Sequence, residues 1–170
     1  MGYGLSNGTP TVTSMIRDSY RVFEGFEKIV ENHGFKKSCF LMGRSLGSLS
    51  AIQLAYSYQN HVRGLIVESG PANNLRQYVA SIVPSEHPIW RDDYIFLNKV
   101  KLRSIFRPTL IIHGERDSLI SVDEERELYE NSAAKDKRLV IMPHADHGDL
   151  FIIGKEQYYN AIQKFVDDYR

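Results

Sequence analysis

The chain has 170 residues, 42% hydrophobic and 25% charged, the make-up of one soluble globular domain and not of a disordered or fibrous chain. A chain this long buries about 70% of its unfolded surface and can fold without disulfides or a metal. Lys plus Arg equals Asp plus Glu at 21 each, so no basic excess exists to grip nucleic acid or an anionic membrane. Cys39 is the lone cysteine, which excludes an internal disulfide and fits a reducing, cytoplasmic setting. No run approaches the ~20 apolar residues of a membrane span. The opening Met1-Gly2-Tyr3-Gly4-Leu5-Ser6 lacks the features of a signal peptide; it matches the short lipidation pattern on Gly2, a weak signal by itself.

In chain order, residues 13–33 carry Met15, Ile16, Val22, Phe23, Phe26, Ile29 and Val30 at the spacing of an amphipathic helix, with Gly34 placed to end it. Residues 37–42 form an apolar run that predicts a buried parallel strand. A helix of small residues is expected over 46–57, and a second strand over 62–67. Residues 72–107 show no sustained period and read as short helices and loops, a lid-like insertion in a single domain spanning 1–170. A strand is predicted at 109–113, entered from Pro108 and left through Gly114. Ser121-Val122-Asp123-Glu124 has the form of a capping box opening a helix. A strand at 137–142 follows, then a last helix with Tyr158, Ile162, Phe165, Val166 and Tyr169 on one face. Strands alternating with helices predict an α/β fold, a predominantly parallel sheet flanked by helices.

Gly43-Arg44-Ser45-Leu46-Gly47 lies between the first predicted strand and the helix of small residues. A serine hydroxyl is a weak nucleophile and must stand clear of the backbone, where a base can reach it. A sharp strand-to-helix turn achieves this, and its two glycines are expected to relieve crowding between the passing elements. The helix N-terminus and the Leu46 backbone N–H would face a developing oxyanion. Among six histidines, His144 and His147 follow the last strand, at the sheet edge where open α/β folds gather their ligands. Glu115 and Asp117, directly after the third strand, are the two candidates for the acid that orients the base. Arg44 has two readings, a guide for an acidic substrate or a structural donor.

These residues, with Pro108-Thr109-Leu110-Ile111-Ile112-His113-Gly114-Glu115-Arg116-Asp117 and the late histidine loop, resemble the α/β-hydrolase superfamily, in the family's order Ser, Asp, His. The resemblance implies Ser45 as nucleophile, His147 rather than His144 as base, and Asp117 rather than Glu115 as the orienting acid. It implies a serine hydrolase acting on ester, thioester or amide bonds of a small-molecule, acyl or peptide substrate, with no metal or organic cofactor. Gly2 to Gly8 resembles the turn these enzymes place after their fourth strand, and the resemblance implies that the family's earlier strands and its second oxyanion donor would lie outside these 170 residues. The strand at 37–42 then becomes an apolar sheet edge, open to pairing with another copy. An impaired hydrolase fragment that binds a partner is the alternative. His144-Ala145-Asp146-His147 also resembles the tail of a metallo-hydrolase motif, but the position of its first histidine holds Met142, a poor ligand for a hard metal.

Overall fold

The computed structural model describes residues 4–35, 39–73, 83–88 and 97–170. Four strands form one sheet: β1 (Phe40–Arg44), β2 (Gly64–Glu68), β3 (Thr109–Gly114) and β4 (Lys137–Met142). They pair in the order β1-β2-β3-β4, all parallel, with Arg44 opposite Glu68, Glu68 opposite Ile112 and Gly114 opposite Met142. The helices are α1 (Val12–Asn32), α2 (Gly47–Ser57), α3 (Asn98–Leu102), α4 (Val122–Asn131), α5 (Leu150–Ile153) and α6 (Lys155–Tyr169).

β2 and β3 are buried along their whole length, which is why they read as continuous apolar runs and not as alternating ones. Their side chains still alternate between faces. Leu65, Val67 and Ile111 pack with Ala51, Ile52 and Ala55 of α2, Leu102 of α3 and Leu128 of α4. Ile66, Leu110 and Ile112 point the other way, into a second core closed by Leu150, Tyr158 and Phe165. α1 lies over α2, burying Val12 and Ile16 against Leu49, and Phe23 against Leu54 and Val62. The sheet is therefore covered on both faces, the α/β architecture expected from the sequence.

The differences from expectation are local. The strand predicted at 37–42 begins at Phe40 and runs two residues further, through Gly43 and Arg44, so it carries the chain directly into Ser45. Residues 37 and 38 lie outside the described residues, as do Gly2 and the 90–96 stretch of the lid-like insertion, with Trp90, Tyr94, Ile95 and Phe96. At the end of that insertion Leu102 and Ile105 are fully buried, so they belong to the core beneath α2.

The capping box predicted at Ser121 does not form. Ser121 Oγ accepts from Asp123 N–H, but the Glu124 carboxylate accepts instead from the backbone N–H groups of Ala72 and Asn73. A tertiary partner with three donors, counting the Asn73 side-chain amide, outcompetes one cap donor. A capping box does open α1, where Thr11 Oγ1 accepts from Ser14 N–H and Ser14 Oγ accepts from Thr11 N–H.

Among the described residues no strand pairs with β1 on the side away from β2. Met42, Val22 and Phe26 are exposed there. An apolar groove of about 870 Å³ lies between α1, α2 and β1, with Met15, Phe26, Phe40 and Met42 in its walls. No helix among the described residues is long and apolar enough to cross a membrane.

Candidate active site

The four parallel strands deliver their carboxyl ends to one rim, and the loops that leave β1, β3 and β4 meet there. The turn after β1 is tight enough to hold Ser45 at φ 49°, in the left-handed region that costs an ordinary residue about 1 kcal/mol or more. Hydrogen bonds over-determine it. Ser45 N–H donates to Glu68 O at 2.8 Å, and Ser45 O accepts from Ser48 Oγ at 2.6 Å and from Ser48 N–H at 3.0 Å. A Cβ at Gly43 would sit 2.6 Å from Ala51 Cβ and 2.6 Å from Gly47 O, so only glycine lets β1 pass α2 this closely. The expectation for Gly47 is corrected, since nothing lies within 4 Å of the Cβ it would carry.

The strained turn lifts the Ser45 hydroxyl toward the loop after β4. Ser45 Oγ lies 2.9 Å from His147 Nε2, and His147 Nδ1 lies 2.8 Å from Asp117 Oδ2. Residues 102 and 30 positions apart in the chain thus form one line of hydrogen bonds. The Asp117 side chain is fully buried, and its other oxygen, Oδ1, accepts from the backbone N–H groups of Leu119 and Ile120 at 2.9 and 2.8 Å. Burial opposes ionisation of this carboxyl. The hydrogen bonds from His147 and Ile120 and the neighbouring His113 outweigh it and hold Asp117 below the usual carboxylate range. The Leu46 N–H stands at the N-cap of α2, beside Ser45, with no acceptor among the described residues.

The alternative base and acid go elsewhere. His144 and Glu115 face each other on the surface, Nδ1 to Oε2 at 3.8 Å, and His144 N–H also donates to that oxygen. The proposed metallo-hydrolase tail does not converge either. Asp146 Oδ1 accepts from Ser118 N–H, Ser118 Oγ and His147 N–H. Sequence reasoning missed that role: Asp146 latches the histidine loop to the acid loop one residue past Asp117. The only sequence signal was its place beside the histidine. Gly114 makes the same approach possible, since a Cβ there would meet Ala145 O at 2.5 Å.

Arg44, left between two readings, is a structural donor. Its Nε lies 2.9 Å from Oε1 of the buried Glu68, whose Oε2 accepts from Tyr158 Oη at 2.8 Å. Its Nη2 donates to His147 O at 2.7 Å, which ties the histidine loop to the turn that carries Ser45. Removing one partner of a buried ion pair strands the other charge. Arg44→Met is expected to cost about 2 kcal/mol in chemical denaturation, less than a wholly buried pair because the guanidinium is partly solvated. Adding Glu68→Gln to Arg44→Met should recover part of that loss. No recovery would mean that the stranded carboxylate is not its cause.

Comparison with known proteins identifies the family and the fold. The family model described as "Serine aminopeptidase, S33" matches residues 1–92 and 97–151. A Saccharomyces cerevisiae chain described as an uncharacterized membrane protein is 25% identical over 172 residues, covering 97% of this chain and 57% of its own. A putative alpha/beta hydrolase of Acanthamoeba polyphaga mimivirus is 29% identical over 153 residues, covering 88% of this chain and 54% of its own. The chain spans about half the length of the curated relatives it matches. Among solved structures, the Pyrococcus furiosus esterase Pf2001 superposes with a TM-score of 0.75 at 21% identity, covering 98% of this chain and 67% of that one. With a family match over most of its length and the α/β-hydrolase fold shared with solved hydrolases, the chain belongs to the serine aminopeptidase S33 family of α/β hydrolases.

Proposed function

We propose that the chain carries the chemistry of a serine hydrolase, breaking an ester, thioester or amide bond through an acyl-enzyme on Ser45. The observation that carries this reading is the unbroken line from Ser45 Oγ through His147 to the buried Asp117. In the reactive tautomer His147 Nδ1–H donates to Asp117, leaving Nε2 free to accept the hydroxyl proton. Ser45 Oγ attacks the carbonyl carbon as His147 takes that proton. The Leu46 N–H and the N-terminal end of α2 face the oxyanion. His147 then protonates the leaving group, whose bond to the carbonyl carbon breaks. Water, activated by the same imidazole, releases the acyl group and restores Ser45. Each step uses only these side chains, one backbone donor and water.

The test is pre-steady-state hydrolysis of a p-nitrophenyl ester. A burst of nitrophenolate approaching one equivalent per chain, followed by slower turnover and absent from Ser45→Ala, is the expected result. Equal release by both proteins would defeat the proposal.

A second reading, a chain that binds a partner strand along β1, draws on the unpaired edge and the apolar groove beside it. A second copy of the chain is the simplest such partner. Concentration-dependent dimerisation with no burst would favour that reading.

A further inference from the structure

Behind Asp117 lies a pair of titratable groups that the proposed mechanism does not use. His113, at the end of β3, and Glu125, in α4, are both fully buried. His113 Nδ1 lies 3.1 Å from Glu125 Oε1, and His113 Nε2 lies 2.9 Å from Ile120 O and 3.5 Å from Asp117 Oδ2. Glu125 Oε1 also accepts from the Gly70 N–H, on the loop after β2. Four segments therefore meet through two side chains: β3, the acid loop, α4 and the β2 loop.

The donor and acceptor roles decide the protonation. A carbonyl oxygen only accepts, so Nε2 carries a proton toward Ile120 O. Burial pushes the Glu125 carboxyl up to about 7, against the hydrogen bonds from His113 and Gly70 that favour its ionised form. With Glu125 ionised, Oε1 accepts from Nδ1 as well as from the amide, so the ring holds both protons and is cationic. Burial alone would strip that proton, but Glu125 and then Asp117 outweigh it and raise His113 above the usual histidine range. The charged groups facing the pair are thus Asp117 from the acid loop and the two partners themselves. Among the described residues of the β2 loop, the Gly70 N–H is what reaches the pair.

We propose that His113 and Glu125 are positioning residues, a buried imidazolium–carboxylate pair whose positive end holds Asp117 ionised and fixed against His147. The inference rests on the serine-hydrolase reading for its effect on Ser45, but the pair itself can be tested without any reaction. Glu125 keeps His113 protonated. His113 then presents a positive N–H edge to Asp117, and the acid loop cannot swing away without separating those charges in a buried site. Loss of either member removes the same device, so the two substitutions should not compound.

The experiment uses the 170-residue chain, Glu125→Gln, His113→Gln and the double variant, with thermal melts to identify which remain folded. The first readout is the ring titration of His113, followed by its Cε1–H resonance. Glu125→Gln, nearly isosteric, should move that titration to lower pH by about one unit or more. The second readout is the rate of Ser45 phosphonylation by a fluorophosphonate at neutral pH. Each single variant should slow it roughly tenfold or more, and the double variant should be no slower than His113→Gln alone. A His113 titration unmoved by Glu125→Gln would overturn the proposal, and so would losses that multiply in the double variant. A wild-type chain that does not react with the probe, while the His113 shift is intact, would defeat the serine-hydrolase reading and leave the pair's protonation as assigned. Glu125→Gln carries the test if His113→Gln fails to fold.

Discussion

Asp117→Asn is expected to slow phosphonylation of Ser45 by about ten thousand-fold while the chain still folds. The reason is tautomeric. Asp117 Oδ1 is occupied by the Leu119 and Ile120 N–H groups, so an asparagine would keep its oxygen there and turn its amide NH2 toward His147. His147 Nδ1, 2.8 Å away, would then have to accept, and the ring proton would move to Nε2. That nitrogen faces Ser45 Oγ and can no longer take its proton. The geometry survives and the base is lost. The variant should stay folded, because the two amide contacts that shape the acid loop remain. It should melt below the wild type, because the carboxylate oxygen it loses also faces His113 Nε2 at 3.5 Å. Near-normal labelling of Asp117→Asn, by stopped-time mass spectrometry, would show that the carboxylate does not set the tautomer.

Gly43→Ala should be strongly destabilising. Its Cβ would stand 2.6 Å from both Ala51 Cβ and Gly47 O, and 2.7 Å from Ser48 Cα. Two of these are backbone atoms, and the third belongs to a side chain with no torsion to relieve the clash. β1 must therefore move off α2, at a cost of roughly 3 kcal/mol. For a domain of this size that lowers the melting temperature by roughly 10 °C. Gly47→Ala, in the same motif, should stay within about 0.5 kcal/mol of wild type, since its added methyl meets open space. Equal melting temperatures for the two variants would contradict the packing argument.

The turn that holds Ser45 was legible because hydrophobic period changes across it. An apolar run meets a helix of small residues, and a serine between glycines at that junction has a mechanical reason to be there. The convergence of Ser45, Asp117 and His147 came from the family resemblance, not from spacing. Positions 30 and 102 residues apart carry no periodic signal. Sequence reasoning credited both glycines with relieving crowding, and only Gly43 is crowded.

What stayed hidden depends on closure of the tertiary structure. His113 read as a residue ending a strand, and Glu125 carried no signal of its own. Their meeting requires α4 to fold back over β3. Glu124 looked like half of a capping box, but the loop at Ala72 and Asn73 offers it three donors that local sequence cannot reveal. β2 extends through Glu68, a charge that propensity would exclude from a strand, because Arg44 on the paired strand β1 offsets its charge and Tyr158 of α6 donates to it. The edge position of β1 was anticipated. The groove that α1 and α2 form beside it was not.

The most direct test of the proposed line from Ser45 to Asp117 is where a fluorophosphonate attaches. Intact-mass analysis followed by peptide mapping should find a single adduct on Ser45, lost in Ser45→Ala and suppressed in His147→Ala. An unmodified Ser45 in folded chain, or equal labelling of the His147→Ala variant, would contradict it.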